Sequence, residues 1–137
     1  MLLNVSYNDP NQEQTITNLV GKPFSLRDRI KFSGVGSPKL HIVSSSPKIA
    51  NLLLLDNNLD VCNIEIRPKG IILRFRSLLE TYALVIPFYK LSVFKGKSNS
   101  YSIHADGQKI EIHSDKHTSK FFSKIMEFKA KYTENPI

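Results

Sequence analysis

The chain reads as a mostly β domain closed by one C-terminal amphipathic helix, and three observations predict this. Asp106-Gly107, the strongest short hairpin signal present, sits between two alternating segments. Cys62, Ile64 and Ile66 alternate with Asn63, Glu65 and Arg67 ahead of a Pro68-Lys69-Gly70 turn, and a second alternating run follows it. Near the end, Phe121, Phe122, Ile125, Met126, Phe128 and Tyr132 fall within a sector of about 160° on a helical wheel.

The first segment, Met1 to Thr17, is polar, contains Pro10 and reads as an extended arm with a short strand near Leu2–Val5. Ile16, Leu19 and Val20 are the first side chains expected to reach a core, and Lys22-Pro23 interrupts any regular element there. Ser25 resembles a helix N-cap with Asp28 in the first turn. Residues 26–32 therefore read as two turns of helix or, from Arg29, as a strand in which Ile30 and Phe32 alternate with charges. Gly34 to Lys39 reads as a plain loop. It lacks the spacing of a phosphate-binding loop, and Pro38 removes a backbone donor.

Leu40, Ile42 and Val43 predict a short strand ended by Ser44-Ser45-Ser46. Ser46-Pro47 suits a helix start, with a hydroxyl cap and proline at the first helical position. Ile49, Leu52, Leu53 and Leu55 would fill that helix before Asp56-Asn57-Asn58 closes it, a buried strand over 49–55 being the rival. The hairpin then runs through Ile71, Leu73 and Phe75 on one face and Ile72, Arg74 and Arg76 on the other. The next strand, Thr81 to Ile86, is apolar on both faces, so it needs cover on both sides, and the N-terminal extension is the expected cover. A short strand at Leu91–Phe94 and a loop at residues 95–99 follow. A two-residue loop at 106–107 then pairs Ala105 with Gln108, Ile103 with Ile110 and Tyr101 with Ile112. On the closing helix Lys120, Lys124 and Lys131 lie opposite the apolar face, while Lys129 sits inside it and must extend its stem outward.

Composition narrows the function classes. With 137 residues, 41% apolar and 23% charged, one core of ordinary size is expected. The longest apolar run, residues 82–88, falls far short of the ~20 residues a membrane-spanning helix needs. The first dozen residues lack the basic-then-apolar pattern of a secretory signal, so a cytoplasmic location, peripheral at a membrane or not, is expected. The net charge of +7 resides wholly in residues 67–137, with thirteen Lys/Arg against six Asp/Glu; residues 1–66 carry six of each. Such asymmetry points to an anionic membrane surface or an acidic protein, or to lysines that keep edges solvated. Basic residues are not interleaved with an exposed aromatic platform, so nucleic acid is not expected as a partner.

At VIPFYKLSVF, followed by YSIHADGQKIEI and the closing helix, the chain resembles pleckstrin-homology-like domains, including bacterial and GRAM-type variants. Ile86, Pro87, Phe88, Leu91 and Phe94 occupy the family's I-P-[YF]-x-x-[IL]-x-x-[VF] stretch. The resemblance implies a barrel of about seven antiparallel strands capped by one helix over residues 40–132, with residues 1–39 as an N-terminal extension packing on it and 133–137 as a tail. It further implies a non-enzymatic binding or interaction module, for an anionic lipid headgroup or an acidic peptide, without a cofactor. Two departures stand out. The chain has no Trp for the closing helix, and Lys69, Arg74 and Arg76 match the letters of a headgroup-binding motif across the second and third strands of the domain, with a tight turn between them.

The candidate anion-binding residues are Arg67, Lys69, Arg74 and Arg76, since arginine suits bidentate contact with phosphate or carboxylate. Tyr89, Lys90, Lys95 and Lys97 form a second, weaker group. The alternative function is a small enzyme with a cleft between the N-terminal extension and the barrel, for which His104, His113 or Glu111 would have to line the pocket. Against it, Glu65, Glu80 and Glu111 read as separate solvent-facing charges rather than a paired acid and base. His113 and His117 have helical ligand spacing, but His113 falls on a strand, so a metal is not expected. Cys62 reads as a buried, unreactive thiol.

Overall fold

A computed structural model describes residues 1–54, 60–96 and 99–134. Its strands are β1 (Leu2–Asn4), β2 (Leu40–Ser45), β3 (Val61–Arg67), β4 (Gly70–Ser77), β5 (Glu80–Pro87), β6 (Ser92–Lys95), β7 (Ser100–Ala105) and β8 (Gln108–His113). Its helices are α1 (Pro10–Val20), α2 (Leu26–Lys31), α3 (Pro47–Leu54) and α4 (Lys116–Glu134), and a 3-10 turn spans Phe88–Lys90. The strands form one open antiparallel sheet in the order β1-β5-β4-β3-β2-β8-β7-β6. The fold is thus mostly β with a C-terminal helix.

Both expected hairpins form, the Asp106-Gly107 one in the expected register. Cys62, Ile64 and Ile66 face Phe75, Leu73 and Ile71 across β3–β4. Tyr101, Ile103 and Ala105 face Ile112, Ile110 and Gln108 across β7–β8. Asp106 and Gly107 both take positive φ, 49° and 77°, the backbone that a two-residue hairpin loop with the right twist requires. The strand β2 joins the two halves of the sheet. Its Leu40 and His41 pair with β3, and after an irregularity between Ile42 and Ser44 its end pairs with β8. Alternation along β2 keeps Leu40 and Ile42 buried while Val43 faces out.

The principal core gathers one face of β3, β4, β5, β7 and β8, with Ile49 and Leu53 from α3 and Phe121, Phe122 and Ile125 from α4. A second, smaller core lies on the other face of β4 and β5. There Ile72, Ala83 and Val85 meet Val20 of α1, with Ile16, Leu19, Leu3 and Val5 packed around them. Both faces of β5 are therefore covered, the outer one by the N-terminal segment, and β1 extends the sheet by pairing Leu2, Leu3 and Asn4 with Leu84, Ala83 and Tyr82. Gly70 marks the closest approach, since a Cβ there would stand 2.3 Å from the Ile86 carbonyl oxygen and 2.6 Å from Val20 Cγ1.

Several local expectations need correction. The arm over residues 1–17 is extended only as far as β1. From Pro10 it is helical, because the Asp9 carboxylate accepts from the Asn11 and Gln12 amides and proline occupies the first turn. Gly34–Lys39 is a loop, as expected, and it is anchored to the sheet. Ser37 N–H donates to the Ile64 carbonyl and Ile66 N–H to that of Val35, so this segment lines β3 beyond the reach of β2. Ser46 directly precedes α3, yet its hydroxyl donates to Gln108 Oε1 and accepts from Lys109 N–H, tying the helix start to the β8 strand. Of the two readings for residues 26–32 the helix holds, over Leu26–Lys31, with the Ser25 hydroxyl accepting from Asp28 N–H. Met126 and Phe94 are exposed, and Lys124 is not simply solvated, since its Nζ donates to the Ser33 and Gly34 carbonyls. Lys129 does reach out of its apolar face, to the Leu91 carbonyl. Leu55, Asp56-Asn57-Asn58, Lys97 and the last three tail residues lie outside the described residues.

Candidate functional site

The alternation of β3 and β4 places Glu65, Arg67 and Arg74 on the outer face of the sheet, opposite the principal core. Arg67 Nε donates to Glu65 Oε2 at 2.6 Å and Arg74 Nη1 to Glu65 Oε1 at 2.8 Å. Arg67 Nη1 also donates to the Gly21 carbonyl at 3.0 Å, which ties the end of α1 to the sheet. One carboxylate thus spans two guanidiniums. Burial alone would raise the Glu65 carboxyl, but the hydrogen bonds and charges of Arg67 and Arg74 outweigh it and hold the group below its usual range. Glu65 is therefore not a separate solvent-facing charge. Its role escaped the sequence because cross-strand partners depend on a register that spacing alone leaves open.

The four candidate residues do not form one cluster. Arg67 is 7% exposed and committed to Glu65 and Gly21. Arg74 keeps 34% of its side chain exposed, and Arg76 lies two residues further along the same face of β4, exposed. Lys69 stands in the β3–β4 turn at the other end of the strand, where its N–H donates to the Val20 carbonyl. Of the second group, Lys90 pairs with Asp106 at 3.1 Å and lies 5.8 Å from the Tyr89 ring centre, while Lys95 is exposed on the edge strand β6.

A cleft of about 510 Å³ opens between the N-terminal segment and the sheet. Arg67, Arg74 and Ala83 contribute from the sheet, Val5 to Asp9 from the β1–α1 connection, and Gln12, Glu13, Ile16 and Thr17 from α1. Sequence reasoning missed the α1 residues because it read that stretch as extended. The signal was present in Asp9-Pro10 followed by Ile16, Leu19 and Val20 at i, i+3 and i+4. None of His104, His113 and Glu111 lines the cleft. His104 lies edge-on to Phe94, 5.2 Å between ring centres, and among the described residues no group of three His, Cys, Asp or Glu could hold a metal ion. Cys62 is buried, and burial pushes its thiol up to about 12.

Together these features define a mostly β chain that carries an arginine-bearing face beside a cleft, with Arg74 shared between the two. Compared with protein families, with curated proteins and with solved structures, the chain matches none. No helix among the described residues is long and apolar enough to cross a membrane.

Proposed function

We infer that the protein is a non-enzymatic binding module with a PH-like fold that recognises an anionic group, phosphate or carboxylate, through Arg74 and Arg76. The carrying observation is Arg74 itself. Glu65 orients one edge of its guanidinium while a third of the side chain remains exposed at the cleft. A guanidinium held this way loses little side-chain freedom when it takes a second anion. Arg76 adds a cation at one strand-pair spacing, about 7 Å away along β4, and no ion pair occupies it among the described residues. Setting β1 aside, the seven remaining strands followed by α4 have the count and order that the PH-like resemblance implies, which supports that part of the reading. Arg67 stays in the site as a support for Glu65 rather than a contact.

The cleft also stands where a small enzyme would hold its substrate. Its lining offers arginines, amides, hydroxyls and the carboxylates of Asp9 and Glu13 without a histidine or cysteine, and Asp9 is engaged in capping α1, so recognition is the chemistry it serves best. Calorimetric titration with inositol hexakisphosphate and with a poly-glutamate peptide tests the reading. Saturable binding that weakens with salt and is lost in Arg76→Glu is the expected result. No binding of either probe, or binding that Arg76→Glu and Arg74→Gln leave unchanged, would overturn it.

A further inference from the structure

A different surface carries a second inference, independent of the arginine face. The six-residue helix α2 buries none of its own residues. Leu26 and Ile30, four apart and so on one face, are 72% and 73% exposed. A helix this short is marginal by itself, yet its flanks fix it. Phe24 and Phe32, on either side, close an edge-to-face trio with Phe128 of α4, with centroid distances of 5.2, 5.8 and 5.0 Å. The Ser25 cap and the bond from Arg29 Nε to the Phe24 carbonyl complete the fixation. The aromatic base holds the segment, and the apolar pair projects away from the molecule.

The charged side chains of this segment are mostly cationic. Lys22, Arg27, Arg29 and Lys31 lie within ten residues of chain against Asp28 alone. Lys31 Nζ is placed over the Phe32 ring, 5.8 Å from its centre. Two protruding side chains cover far less than the roughly 800 Å² per partner that a stable protein interface buries. An exposed apolar pair flanked along the chain by four cations and one carboxylate instead matches the boundary between anionic headgroups and acyl chains. We propose that α2 docks the protein on an anionic lipid surface, with Leu26 and Ile30 entering the acyl boundary and Arg27 and Lys31 meeting the headgroups.

The chain has no tryptophan, so Ile30→Trp introduces a single reporter, and Leu79→Trp places one on the exposed β4–β5 turn as a control. Phosphatidylcholine vesicles with and without phosphatidylserine are the probe. Ile30→Trp emission shifts to the blue only with the anionic vesicles, and salt on the order of 0.5 M reverses the shift; the Leu79→Trp emission does not move. In sedimentation, Leu26→Ser with Ile30→Ser, and separately Arg27→Gln with Lys31→Gln, lower the bound fraction, the latter by about 30-fold in partition coefficient. These exposed replacements leave the circular dichroism spectrum and melting temperature unchanged. Absence of vesicle binding overturns the proposal, as does binding that the α2 variants retain. Loss of binding only in Arg76→Glu also overturns it while leaving the arginine-face reading intact; loss of hexakisphosphate binding with vesicle docking retained does the reverse.

Discussion

Glu65 joins two arginines on the outer face of the sheet. It accepts from two arginines, one of them buried, so removing its charge strands Arg67 against a low-dielectric surface. Glu65→Gln is expected to cost about 2 kcal/mol in urea denaturation at neutral pH. Because its folded pKa lies below the ordinary 4.5, the stabilisation is complete above that value and is lost as pH falls through the depressed one. The difference between wild type and Glu65→Gln should therefore shrink on acidification below pH 4.5, and a gap that stays constant would refute the assignment. Cys62 gives a second test at this scale. A thiol 4% exposed and pushed up to about 12 has almost no reactive thiolate at neutral pH. Its labelling by a disulfide reagent should track global unfolding through a denaturant series, and rapid labelling of the native protein would contradict the burial.

Among the elements, α1 is anchored at both ends by single side chains. Asp9 supplies the acceptor for two amides at the start of the helix, while Val20 at its end enters the second core. Asp9→Ala should cost about 1 kcal/mol and raise amide exchange first in Asn11 to Glu13, before β4 or β5. Uniform exchange changes would mean that the helix and sheet open as a unit. The hairpins depended less on their surroundings for recognition. Asp106-Gly107 and Pro68-Lys69-Gly70 carry their own turn chemistry, and the two-residue loop at Asp106-Gly107 also supplied a register. Residues 10–20 were misread because a polar, Asn- and Gln-rich helix resembles an arm until its few apolar side chains are counted on a helical wheel.

At the scale of the whole molecule, the N-terminal forty residues are built into the structure. β1 adds an edge strand to β5, α1 covers Ile72, Ala83 and Val85, and residues 35–37 hydrogen-bond along β3. A chain beginning at Gly21 would expose that second core and leave the long apolar strand β5 at an open edge. Such a truncation is expected to bind the hydrophobic dye ANS, aggregate in size-exclusion chromatography and lose its cooperative melt. A monomeric, cooperatively melting product would show that the extension merely decorates the sheet. The candidate arginine site also depends on this packing, because the cleft exists only where α1 and the β1–α1 connection lie over Arg67 and Arg74.

By itself the sequence determined the local features whose physics acts within a few residues. These are the mostly β class, both hairpins, the register of the Asp106-Gly107 hairpin and the phenylalanine face of the last helix, while residues 26–32 and 47–55 stayed open between helix and strand. It also showed that β5 needs cover on both sides. Only the tertiary structure decided which side chains meet across elements. It drew Arg67 and Arg74 onto Glu65, separated Lys69 from Arg76, and set the Phe24–Phe32–Phe128 base beneath an exposed Leu26 and Ile30. The reason is one of distance. Turn chemistry and periodicity are encoded by neighbours along the chain, whereas an ion pair, a cleft or a protruding apex is created by segments whose mutual placement no local pattern specifies.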